Sequence, residues 1–290
     1  MNRFATALAA GVFMFTACTS GGTTSGLQST VSPSPSSTGT VVPPLPGRIA
    51  FSDVAKGPQG PFRIWTIAMD GSQPVEVTTP SGADDVHPRF SPDGTRIAFA
   101  RYDPVAGDRI EVVNADGTGL RVINPACTGS CAKQCALASL PCPGDDHPTW
   151  SPDGTRIAFE RAYGSNVQRL TVAIWIANAD GTHPIQLTKP IPARAEDHAP
   201  AFSPDGSRLL FMRDVHPLDR ASLWTIGVDG TDLRLLYQFP LDRPGGGFNA
   251  RWSPDGSRIL FSDDCGFDSC PDVLSFVPQV FSIRPDGTDL

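Results

Sequence analysis

Once its first 18 residues are passed, the chain shows almost no helical periodicity, which argues against a helical bundle and against an attached α/β domain that could mount a nucleophile. Several chemical signatures are missing as well. There is no Gly-x-Ser-x-Gly elbow, no His-Glu-x-x-His pair and no glycine-rich phosphate loop, so the common serine hydrolase, zinc peptidase and nucleotide-binding designs are unsupported. Asp-Gly recurs, but never as the D-x-[DN]-x-[DN]-G of an EF-hand loop. Basic charge is short too: lysine occurs three times against twenty arginines, and the net charge is −7. That balance argues against nucleic acid and against adsorption to anionic lipid, both of which attract basic surfaces.

What the chain has in place of these is repetition. Arg89-Phe90-Ser91-Pro92-Asp93-Gly94-Thr95-Arg96-Ile97-Ala98-Phe99 returns as TWSPDGTRIAF from Thr149, AFSPDGSRLLF from Ala201 and RWSPDGSRILF from Arg251. Between these lines runs a second one, in five copies: IWTIAMDGS from Ile64, IEVVNADGT from Ile110, IWIANADGT from Ile174, LWTIGVDGT from Leu223 and VFSIRPDGT from Val280. Each Asp-Gly triplet supplies a type I turn followed by a glycine free to take positive φ, the device that closes short hairpin loops. β-Branched and aromatic runs of strand length flank every turn. Each unit of roughly 50 residues is then about four antiparallel strands, which predicts an all-β propeller of about five four-stranded blades. A β-sandwich is the weaker alternative, because sandwiches do not repeat one motif in every strand pair.

The chain divides into three parts. Residues 1–18 read as an export signal, with Arg3, an apolar stretch from Phe4 to Phe15, and Thr16-Ala17-Cys18. Small residues before Cys18 resemble a lipobox, whose cysteine is lipidated, although Phe15 stands where an aliphatic residue is usual. Residues 19–46 are rich in Ser, Thr, Gly and Pro, too poor in apolar surface to offset ordering entropy, and suit a disordered tether. Residues 47–290 form the propeller, with an insertion at 125–144. Gly47-Arg48-Ile49-Ala50-Phe51 aligns with the second strand of a unit, and the last residues, to Leu290, lie inside a hairpin. The expectation is a ring that is incomplete or open at its closure.

Six cysteines remain beyond Cys18, an even number in an exported chain, which favours disulfides. Cys127, Cys131, Cys135 and Cys142 sit in the insertion with spacing unlike a zinc ribbon, and their pairing stays open. Cys265 and Cys270 would close a small loop.

Acids and a histidine precede three of the four long lines: Asp84, Asp85 and His87; Asp145, Asp146 and His147; Glu196, Asp197 and His198; the fourth offers Asn249. Equivalent positions on neighbouring blades converge at a channel mouth, where carboxylates and imidazoles suit the cationic end of a peptide or a divalent cation. The competing reading is structural, with Asp capping the strand start and His packing beside Pro. No residue is assigned a catalytic role and no metal site is assigned, His87, His147 and His198 being the alternative metal ligands.

The paired lines, x-Phe/Trp-Ser-Pro-Asp-Gly-x-x-Ile-Ala-Phe and Ile-x-x-x-x-Ala-Asp-Gly-Thr, resemble the TolB-type, WD-like propeller repeat over nearly all of 47–290. This resemblance implies an extracytoplasmic bacterial lipoprotein of the cell envelope or periplasm, held to the membrane only by its N-terminal lipid. It implies a non-catalytic scaffold that binds an envelope protein or peptide, without cofactor, and monomeric unless open edges pair. Two alternatives accompany it: a metal-dependent enzyme similar to polysaccharide lyases that uses the channel histidines, and a propeller that senses a small molecule or sugar. The bias to arginine fits a GC-rich bacterium.

Overall fold

The Ile-Ala-Phe-type stretches at 97–99, 157–159 and 209–211 are apolar on both faces because both are buried, and this sets the architecture. The computed structural model describes residues 47–54, 60–79, 81–104, 107–124, 144–164, 170–190, 195–215, 220–239, 250–263 and 279–290. In it Ile97 and Phe99 pack with Ile64, Val77 and Val113, while Ala98 and Ala100 on the opposite face pack with Ile157, Phe159 and Trp150. One repeat later Ala158 joins Ile174, Leu209 and Phe211. One further, Leu210 and Met212 join Ile259, Phe261 and Ile283. Each strand thus shows alternate residues to the blade before and the blade after, as the period-2 geometry of a strand requires.

All regular structure among the described residues is β. The first sheet holds β1 (Arg48–Val54), β2 (Phe62–Ala68) and β3 (Val75–Glu76) in that order. The second holds β4 (Asp84–Phe90), β5 (Arg96–Tyr102), β6 (Arg109–Asn114) and β7 (Arg121–Asn124). Two more four-stranded units follow: β8 (Asp145–Trp150), β9 (Arg156–Gly164), β10 (Leu170–Asn178) and β11 (Ile185–Gln186), then β12 (Ala195–Phe202), β13 (Arg208–Val215), β14 (Arg220–Gly227) and β15 (Arg234–Gln238). These two are joined by a parallel pairing of Val172 with Glu196. The last sheet is β16 (Arg251–Trp252), β17 (Ile259–Asp263) and β18 (Gln279–Ile283). The expected five all-β blades are present. The first and fifth have three described strands each instead of four, β1 standing where β5 stands in the second blade, directly antiparallel to the next strand.

The Ser-Pro-Asp-Gly turn is the same in all four copies. Ser91 Oγ accepts the Arg96 amide at 3.0 Å while the Gly94 amide donates to the Ser91 carbonyl at 2.8 Å, with Gly94 at φ +70°. β4, β8, β12 and β16 are the first strands of their blades and neighbour one another in series. They form the inner wall. Two indoles stitch it together: Trp150 Nε1 donates to the Arg89 carbonyl at 3.1 Å and Trp252 Nε1 to the Ala201 carbonyl at 3.3 Å. The expected leader and tether, Cys18, Cys127, Cys131, Cys135, Cys142, Cys265, Cys270 and Asn249 lie outside the described residues.

Candidate functional site

A bulge interrupts three of the four inner strands at the proline. Pairing shifts between Val86 and Arg89 on β4, between Asp146 and Thr149 on β8, and between His198 and Ala201 on β12. The residue at the bend takes a left-handed conformation: His87 at φ +53°, His147 at +47° and Ala199 at +51°. Non-glycine residues pay roughly 1–2 kcal/mol for this backbone, and bulges of this kind re-aim side chains. The three histidines are therefore not equivalent. His87, His147 and Ala199 share one position, while His198 stands one residue earlier, where Asp146 and Val86 stand.

The acids separate into two groups. Asp85, Asp145 and Asp197 turn into the blades, where each accepts a forked pair of bonds from the arginine 16 residues on: Arg101 at 2.6 and 3.0 Å, Arg161 at 2.6 and 2.7 Å, Arg213 at 2.6 and 2.8 Å. Planar guanidinium matches carboxylate in this bidentate way, and the same guanidinium groups lie over Phe99, Phe159 and Phe211. Asp84 accepts the Phe62 amide at 2.9 Å and so fixes the start of β2. Asp146 and Glu196 join the histidines.

What results is a chain of alternating imidazole and carboxylate across three blades. His87 Nδ1 lies 2.7 Å from Asp146 Oδ1, and its ring stacks on His147 with centroids 4.0 Å apart. His147 Nδ1 lies 3.3 Å from Asp146 Oδ2 and 3.2 Å from Glu160 Oε1, without a well-directed hydrogen bond to either. His198 Nδ1 is 3.5 Å from Glu160 Oε2, and its Nε2 is 3.3 Å from Glu196. The Tyr102 hydroxyl donates to Asp146, and the Ala199 amide donates to Glu160 Oε2 at 2.8 Å. Ligand atoms of His87, Asp146 and His147 all fall within 4.8 Å of one another, a grouping able to hold a divalent cation.

The buried members of this chain hold one another in their charged forms. Burial resists ionisation of Glu160, but His147 and His198 outweigh it and hold the acid down at about 2. Burial likewise opposes charge on His147, yet Glu160 and Asp146 raise it to about 10. His198 is raised well above the ordinary imidazole value by Glu160 and Glu196 against the same burial, and Asp146 is held low by His147 and His87. Asp108 is pushed up to about 6 by burial and by the charge of Asp146.

Glu160 and Tyr102 were not among the residues expected from the sequence. A signal for Glu160 exists: it follows Arg-Ile-Ala-Phe where the other copies carry Ala100, Met212 and Ser262. Tyr102 stands where the other copies carry Ala162, Asp214 and Asp264.

No family model matches the chain. An uncharacterized peptidase of Bacillus subtilis, YuxL, is 32% identical over 120 residues, 41% of this chain and 17% of that protein. A TolB homolog of Chlorobium luteolum is 28% identical over 152 residues, 51% of this chain and 28% of its own length. Matches to the curated relatives span no more than about a third of those proteins. Among solved structures, TolB from Acinetobacter baumannii superposes with a TM-score of 0.57 at 17% identity, over 82% of this chain and 50% of its own. With five blades, one repeated turn and an inner wall of first strands, the chain has the TolB-type β-propeller fold.

Proposed function

We propose that this protein is an exported, lipid-anchored binding propeller of the bacterial cell envelope that takes a protein or peptide segment at the mouth lined by β4, β8 and β12, without catalysing a reaction. The observation that carries this reading is the imidazole–carboxylate chain from His87 to Glu196. It is drawn from three blades, it is partly open to solvent, and among the described residues it contains no hydroxyl or thiol nucleophile beside a base other than the Tyr102 phenol. Such a surface offers both charges to a polypeptide. The leader ending at Cys18 and the 19–46 tether support export and anchoring.

The test is cross-linking in the envelope with the full chain, comparing wild type with Asp146→Asn/Glu196→Gln and with the distant Glu76→Gln. A partner captured by wild type and Glu76→Gln and lost from the double variant is the expected result. Equal capture by all three would place binding elsewhere. The grouping of His87, Asp146 and His147 favours a second version in which a divalent cation completes the mouth. Metal analysis of the same preparations decides between the two, a stoichiometric metal lost on His147→Ala selecting the second.

A further inference from the structure

Four residues occupy one tier of the inner wall. Arg89 pairs across its hairpin with Ala98, Thr149 with Ala158, Ala201 with Leu210 and Arg251 with Leu260, each partner being the third residue of an Arg-Ile-Ala-Phe-type strand. Two positions are small and two carry guanidinium. Arg89 and Arg251 hold the same posture, each donating Nη1 to the carbonyl of the residue before it, Pro88 at 3.0 Å and Ala250 at 2.8 Å. Both are half-buried, and neither forms an ion pair among the described residues. Arg101, Arg161 and Arg213, by contrast, each fork onto a buried carboxylate.

The two cations also act on each other. Burial first, then the charge of Arg89, lowers Arg251 to about 10, which leaves it charged at neutral pH. A half-buried cation without a counter-ion among the described residues is costly, and two that act on each other cost more. Asp146 carries charge close enough to act on Arg89, so an anion here meets the repulsion of that carboxylate as well as the attraction of the guanidinium groups.

The geometry points to Arg89 and Arg251 as an anion-binding tier of the channel that takes the carboxylate group of a ligand, held by guanidinium N–H groups that find no carboxylate among the described residues. Such a carboxylate has two sources, the C terminus of a peptide or a small non-peptide acid. The first rests on the peptide-binding reading above, and the second does not.

Calorimetry on the full chain separates these, using trialanine, trialanine amide and glucuronate as probes against wild type and Arg89→Gln/Arg251→Gln. Trialanine binding that weakens at least about tenfold both on amidation and in the double variant is expected. Thermal melting supplies a readout that a structural role would move the other way: the double variant melts no lower than wild type, because the substitution removes mutual repulsion. Glucuronate binding without trialanine binding keeps the anion tier and removes its peptide version. Acid and amide binding equally, with no change in the double variant, keeps peptide binding and overturns the tier. No heat from either acid at about 10 mM, or a clear fall in melting temperature of the double variant, overturns it as well.

Discussion

Glu160 carries two imidazoles at once, so its ionisation ties the third and fourth blades together across His147 and His198. The linkage has a defined sign. His147 is raised from 6.5 to about 10, so its contribution to stability is full below pH 6.5 and is lost as pH rises through 10. Glu160 is lowered from 4.5 to about 2, so its contribution is full above pH 4.5 and is lost as pH falls through 2. Both are complete between about pH 4.5 and 6.5. Glu160→Gln should therefore cost most near pH 5.5, on the order of 3 kcal/mol for a broken buried pair, and progressively less toward pH 9. Urea midpoints of the two proteins across that range check this; a gap that widens toward pH 9 would contradict it. At this scale the sequence was informative where copies differ. Glu160 and Asp146 each depart from the residue other repeats place there, and Arg89 and Arg251 depart from Thr149 and Ala201. Residues present in every acidic copy, Asp85, Asp145 and Asp197, are the ones bound to arginine inside the blades. The offset of His198 was legible too, since it stands two residues before Pro200 while His87 and His147 directly precede their prolines; what the residue pattern could not reveal was the bulge that bends all three strands at that point.

At the scale of the element, the Asp-Gly turns that close each second line do more than reverse the chain. Gly181 has φ +88°, and a Cβ there would lie 1.8 Å from the Ile123 carbonyl oxygen of the preceding blade. Gly71 has nearly the same backbone, φ +80°, with open space around the Cβ direction. The pair separates backbone strain from blade contact. Gly71→Ala should cost about 1–2 kcal/mol, the penalty of a left-handed alanine, whereas Gly181→Ala should lose clearly more because backbone must move in two blades. Denaturant unfolding of both variants measures the difference, and equal losses would mean that the turn does not brace the neighbouring blade. The turns, their loop type and the strands they join were legible because glycine and aspartate leave a local signature. The contact of Gly181 with Ile123 was not, since close approach between blades leaves no mark in either segment alone.

At the scale of the molecule, blades are held by alternating means. Trp150 joins β8 to β4 and Trp252 joins β16 to β12 through indole bonds to backbone. Phe90 and Phe202, at the same position, have no donor and pack into the apolar clusters between the first and second and the third and fourth blades. The latter interface has the strand pairing of Val172 with Glu196 instead. Five blades were legible in the repeat itself, since units that present the same two faces must stack in series. How each interface is secured depends on which aromatic residue stands in the motif and on whether a neighbouring strand lies near enough to pair. This arrangement makes a quantitative expectation about cooperativity. Trp150→Phe and Trp252→Phe each lose a buried bond and some packing, on the order of 1–3 kcal/mol. Their residues belong to separate clusters with no shared partner, so the double variant should lose the sum of the two to within about 0.5 kcal/mol. A larger coupling in urea unfolding would mean that strain passes through the blades between them, and that the mouth and the arginine tier, which lie along the same inner strands, respond to changes at either interface.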